Sequence, residues 1–132
     1  MDLGLKINKS FFILLLLSLA FGQQVIAVHE IAGTGLKPMH KKMIFNKLET
    51  EIVNLETYEV ISRSNVDKIL KEQKFQNSGC TDQECAAEIG KLLNADFMLL
   101  TEVLYDSNEG GADISLKLVD VETAKIINAI NE

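Results

Sequence analysis

Phe97–Leu104 reads FMLLTEVL, and this stretch decides the fold. Its side chains are bulky and apolar, with Glu102 the one charge, as a strand at the centre of a sheet requires. The polar run Tyr105–Gly111 (YDSNEGG) that follows makes a hairpin connection. Asp113–Val119 then alternates: Ile114, Leu116 and Leu118 are set inward, Ser115 and Lys117 outward. One face of that strand is therefore expected to meet solvent. Asp120–Thr123 turns the chain, and Lys125–Ile130 (KIINAI) reads as the last strand. These three strands form an antiparallel meander.

Working back from the meander, strands and helices alternate. Val25–Ile31 (VIAVHEI) is nearly all apolar and reads as the first strand. Gly33-Thr34-Gly35 breaks it, and Pro38 suits a first helical position. The helix that follows places Met43, Ile44, Leu48, Ile52 and Leu55 at helical spacing. Tyr58–Ser62 (YEVIS) is a second strand. Ser64 caps a second helix with Asp67 as its partner, and Val66, Ile69 and Leu70 share a face. Thr81 opens a third helix with Glu84 at the capping-box position. Its buried face is Cys85, Ala86, Ile89, Leu92 and Leu93, and Asn94 stops it. The order is βαβααβββ. Two strand–helix–strand crossovers imply parallel pairing with right-handed connections. The expected architecture is α/β: a mixed sheet of about five strands with three helices on its faces, a three-layer sandwich. No internal repeat or low-complexity segment interrupts it.

The N-terminus has a different character. Lys6 and Lys9 precede FFILLLLSLAF (Phe11–Phe21), eleven residues with only Ser18 polar. As a helix they would rise ~16 Å, short of a ~30 Å hydrocarbon core. A basic segment before a short apolar one reads as a signal peptide over residues 1–22. Ala20 and Gly22 place cleavage before Gln23, leaving the first strand whole. The domain then spans residues 23–132, and losing Asp2, Lys6 and Lys9 takes the charge from −6 to −7. A chain of 132 residues allows one domain. Its 19 acidic against 13 basic residues argue against nucleic acid as a partner. No Cys stands near the cleavage site, so no lipid anchor is expected.

Candidate chemistry is thin. His29 lies in an apolar strand and reads as a core or sheet-face residue. His40 stands near a helix start, and neither histidine has a partner at catalytic spacing. Gly33-x-Gly35 lacks a third glycine, since Pro38 stands at that place, and Arg63 rather than an acid ends the second strand. Glu49, Glu51 and Glu56 read as a solvated surface. Two Cys and two scattered His are too few for a metal site. No cofactor, metal or catalytic residue is expected, and the chain does not read as an enzyme. Arg63, between a strand and a helix, is expected to pin the chain by bonding carbonyls or a carboxylate such as Glu72. With Thr81 as cap, Cys80 precedes the cap and Cys85 is the fourth helical residue, the two positions that touch in a hydrophobic staple. An exported protein would oxidise such a pair, so a structural Cys80–Cys85 disulfide is expected.

Tyr58–Val103 resembles the CsgG/LpoB family of bacterial cell-envelope proteins, whose fold is also similar to the N-terminal domain of TolB. Arg63 after the strand, Glu72-Gln73 ending a helix, Ser78-Gly79, Gly90-Lys91-Leu92 and Ala95-Asp96 carry the resemblance. VIAVHEI and the Asp-x-x-Thr turn in Val119–Ile127 extend it over nearly the whole domain. The resemblance implies Arg63, Glu72, Gly79, Gly90 and Asp96 as structural motif residues. It also implies a non-catalytic interaction module in envelope assembly, serving peptidoglycan synthase activation or as a curli-type secretion accessory. The implied partner is a peptidoglycan synthase or an outer-membrane secretion component, in the periplasm, and a homo-oligomer is allowed. No long amphipathic strand pair, of the ~9–11 residues per strand that a membrane barrel needs, is expected. The chain also stops soon after its last strand, where members of the family usually continue with a helix, so the domain reads as minimal or truncated. The alternative is a small thiol-active periplasmic protein using Cys80 and Cys85. Their Cys-x4-Cys spacing differs from the Cys-x-x-Cys of redox enzymes.

Overall fold

The computed structural model describes residues 22–73 and 82–132. The strands are β1 (Gln24–Val28), β2 (Ala32–Thr34), β3 (Tyr58–Ile61), β4 (Phe97–Asp106), β5 (Gly111–Asp120) and β6 (Lys125–Asn131). The helices are α1 (Pro38–Asn54), α2 (Arg63–Glu72) and α3 (Gln83–Leu92). One mixed sheet runs β3-β1-β4-β5-β6, with β2 also paired to β4. β3, β1 and β4 are parallel; β4, β5 and β6 are antiparallel. The βαβααβββ frame and the meander are therefore present.

The sheet has a core on each face, because successive strand residues point to opposite sides. Ile26, Val28, Phe97 and Val103 pack with Phe45 and Ile52 of α1. Ala27, Met98 and Val119 pack with Val66 and Leu70 of α2 and Ala86 and Ile89 of α3. The result is three layers, with α1 on one face and α2 and α3 on the other.

Several local readings are corrected. The first strand does not run unbroken to Ile31: it stops at Val28 and resumes as β2, giving six strands. Gly33, read as part of a break, lies inside β2 at φ +132°, and a Cβ there would overlap the Val103 carbonyl. Only glycine lets the backbone come this close to β4. In α1 the buried residues are Phe45 and Ile52, whereas Met43 and Leu55 lie exposed. The helix is rotated so that Phe45 reaches the sheet. In α2 the N-cap is Ser62, not Ser64, and its side chain makes no capping bond. Its hydroxyl lies 3.2 Å from that of Ser64. Ile114, expected inward, is 39% exposed.

α3 stops as expected. Asn94 sits at φ +52°, while the Ala95 N–H donates to Gly90 O at 2.9 Å and the Asn94 N–H to Lys91 O at 3.2 Å. This pair of bonds is a Schellman closure. At its start the cap is Asp82, not Thr81: Asp82 Oδ1 accepts the Cys85 N–H at 2.8 Å. Asp caps as well as Ser or Thr, and the helix begins one residue later than Thr81 would place it. Cys85 then becomes the third helical residue, and a staple would join residues 81 and 86. Cys85 therefore does not stand at the staple position of α3. Cys80, Gly79 and Thr81 lie outside the described residues.

Candidate functional site

The motif residues Arg63, Gly90 and Asp96 serve the frame. Arg63 opens α2, and its Nε meets Asp67 Oδ1 at 3.1 Å. Its guanidinium carbon stands 5.6 Å from the centre of the Phe45 ring. The carboxylate partner is thus Asp67 and not Glu72, because residues four apart on a helix share a face. Glu72 ends α2, exposed. Gly90 is buried in α3, where a Cβ would overlap Val121 Cγ2 and stand 3.0 Å from Met98 Cγ. Asp96 accepts the Val25 N–H on Oδ2 at 2.7 Å and ties the start of β1 to the start of β4.

The two histidines differ in setting. His29 is 6% exposed, and its backbone N–H bonds Leu99 O at 2.9 Å. With Glu102, Ser115 and Lys117 it lines a recess of about 40 Å³, room for about a water or two. His40 is exposed on α1. Among the described residues no group of His, Cys, Asp and Glu could hold a metal. None of the described helices is long and apolar enough to cross a membrane.

A larger site lies on the other face. Met43, Ile44 and Leu48 of α1 stand over Ile114, Leu116 and Ile130 of the meander, enclosing about 410 Å³ of groove. Lys47 and Glu132 stand at its rim. Met43 is 63% exposed and Ile130 52%, so the walls carry more apolar surface than the fold itself covers. In its floor the Thr101 hydroxyl is buried and has no hydrogen-bond partner among the described residues. An unpaired buried hydroxyl is costly, and a polar atom of an occupant would satisfy it.

The groove borders a free sheet edge, since β6 is exposed along its whole length. Ile114 and Glu132 exchange two backbone bonds, of 2.6 and 2.9 Å. By the antiparallel alternation, Ile130 and Asn128 also bond inward to β5, and Ala129 and Asn131 aim theirs outward. A bulge between Leu118 and Val119 twists the strand near its start, where Lys125 adds a charge. Both devices guard an edge against indiscriminate pairing. Sequence reading missed this site. Its one signal was Met43, which lies off the stripe that Phe45 and Ile52 define.

Comparison with known proteins agrees with this architecture. The family model of the peptidoglycan-synthase activator LpoB matches residues 19–128. Among solved structures, the LpoB C-terminal domain from Escherichia coli superposes with a TM-score of 0.67 at 14% identity, over 83% of this chain and 80% of that one. Lipoprotein GNA1162 from Neisseria meningitidis gives a TM-score of 0.65 at 13% identity, over 82% and 77%. No curated protein matches in sequence. The structures establish a shared fold, and with the family model matching nearly all of the domain, the chain belongs to the LpoB family of peptidoglycan-synthase activators.

Proposed function

We propose that this chain is a non-catalytic periplasmic protein of the bacterial cell envelope that docks on a peptidoglycan synthase. The observation that carries this reading is the apolar groove under α1 running into the free edge of β6. An extended segment of the synthase would add to β6 through Ala129 and Asn131 and seat apolar side chains beside Ile114 and Ile130. A polar atom of that segment would reach Thr101. The family match favours synthase activation over a curli-type secretion role.

The N-terminal segment supports export, with the mature chain starting at Gln23; sequencing the N-terminus of the cellular protein tests this. Oxidation of Cys80 and Cys85 to a structural bridge fits the same compartment. The match to a family of synthase activators supports a binding role. The purified domain is expected to turn over no nucleotide, peptide or glycan.

The decisive experiment places a photocrosslinking residue at Ile127 or Ala129 in cells. A crosslinked peptidoglycan synthase is expected. Recovery of an outer-membrane secretion component instead would overturn the choice of partner, and a crosslink-free β6 would overturn the docking edge.

A further inference from the structure

A second cavity, of about 330 Å³, opens where the chain leaves the carboxyl ends of β1 and β3. Glu30 and Ile31 border it after β1, Arg63 after β3, and Lys41, Lys42 and Phe45 from α1. The topology creates this crevice. From β1 the chain crosses one face of the sheet through α1 to reach β3. From β3 it returns over the other face through α2 and α3 to reach β4. The crevice thus lies at the carboxyl ends of parallel strands, the end at which open α/β sheets hold their ligands.

The charge in the crevice runs against the rest of the molecule. The chain carries −6, yet Lys41, Lys42 and Arg63 line this cavity with Glu30 as the one lining carboxylate, and Asp67 pairs with Arg63 beside it. Lys41 and Lys42 have no ion pair among the described residues; the ion pairs there are Lys47–Glu51 and Arg63–Asp67. Arg63 engages Asp67 through Nε, and the Phe45 ring lies against its guanidinium. That contact fixes the plane of the fork while its terminal nitrogens remain as donors. The N-terminus of α1 sharpens the anomaly. A helix start favours acidic residues, but the first turn of α1 has none, and its N-cap, Lys37, makes no side-chain cap. Lys37, His40, Lys41 and Lys42 crowd that positive end. Local rules broken in this way are expected at functional or strained sites.

We propose that this crevice binds an oxyanion, a carboxylate or phosphate head group, with Lys41, Lys42 and the Arg63 fork as its donors. Ile31 and Phe45 form an apolar wall, which fits a head group carried on a short apolar body better than a bare ion. The crevice shares no lining residue with the groove or with β6, so its test reads separately from partner docking.

Amide chemical shifts of the full domain, titrated with N-acetyl-alanyl-alanine, its carboxyl-terminal amide and inorganic phosphate, test the proposal. The acid is expected to shift Ile31, Asn46 and Arg63, and the amide to leave them in place. Lys41→Ala with Lys42→Ala should weaken the acid at least tenfold, while Lys68→Ala, on the exposed side of α2, should not. Circular dichroism checks that each variant is folded. Binding of phosphate without the dipeptide would keep the oxyanion site and assign it to free phosphate. Equal binding of acid and amide, no response to either anion, or an unchanged affinity in the double variant would overturn the proposal.

Discussion

Asp96 and Val25, 71 residues apart, hold each other twice: the Val25 N–H donates to Asp96 Oδ2 at 2.7 Å, and the Asp96 N–H donates to Val25 O at 2.8 Å. The Asp96 carbonyl also accepts the Val121 N–H at 3.0 Å. One residue thus joins the start of β1, the start of β4 and the turn after β5. Asp96→Ala removes the side-chain arm and leaves the backbone bonds. A bond to a charged acceptor contributes about 1.5–3 kcal/mol, and exposure brings this one to about 1 kcal/mol. Urea unfolding should show that loss, and Asp96→Asn, which keeps an acceptor, should recover part of it. A midpoint unchanged in Asp96→Ala would remove this residue from the frame.

Gly90 sets propensity against packing. Alanine in a helix interior gains about 1 kcal/mol over glycine. Here the new methyl would drive into Val121 and Met98, both buried. Overpacking costs about 1–3 kcal/mol, so Gly90→Ala is expected to destabilise the domain. Pairing it with Val121→Ala should make the two changes strongly non-additive. A Gly90→Ala protein more stable than the parent would show that the contact yields.

Asp120 closes the Asp-x-x-Thr turn. Its Oδ1 accepts both the backbone N–H and the hydroxyl of Thr123, each at 2.8 Å. The Thr123 backbone bond, then its hydroxyl bond, hold the carboxyl below its ordinary value. A lowered folded-state pKa gives stability that is complete above the unfolded value and lost as the pH falls through the folded one. The contribution is therefore present at neutral pH and begins to be lost only as the pH falls below about 4. Thr123→Val, which keeps the N–H and loses the hydroxyl, should move the Asp120 titration part of the way back up. A carboxyl carbon titration by NMR reads this directly, and identical curves in the two proteins would contradict it.

Cys80 and Cys85 are expected to be joined in protein taken from an oxidising compartment. Intact mass after alkylation, with and without reduction, decides it, and two thiols labelled before reduction would exclude the bridge. The closed loop is short, so Cys80→Ser should cost about 2 kcal/mol at most. Asp82→Ala should cost about 1 kcal/mol by a separate route, because it removes the cap of α3.

The frame was legible wherever local chemistry and the fold agree. The apolar Phe97–Leu104 became the centre of the sheet, Asn94 ended α3, and the turn at Asp120–Thr123 closed on its own side chains. Arg63 was legible as a pin but not its partner: Glu72 and Asp67 are both carboxylates on the same helix, and only the helical turn selects the one four residues on. The groove was not legible, because its lining comes from α1, β4, β5 and β6.

By itself the sequence determined the order of strands and helices, the parallel crossovers and the meander. These follow from hydrophobic period, turn residues and chain handedness, all of which act over short stretches. The tertiary structure alone decided that Phe45 rather than Met43 meets the sheet, that the first strand is interrupted before Gly33, and that Ile114 and Ile130 remain exposed. It also decided that Lys41 and Lys42 share a crevice with Arg63. Each of these depends on how far one element is rotated or extended against another. Rotation and reach are set by packing across the whole sheet, where residues more than 50 positions apart compete for the same space.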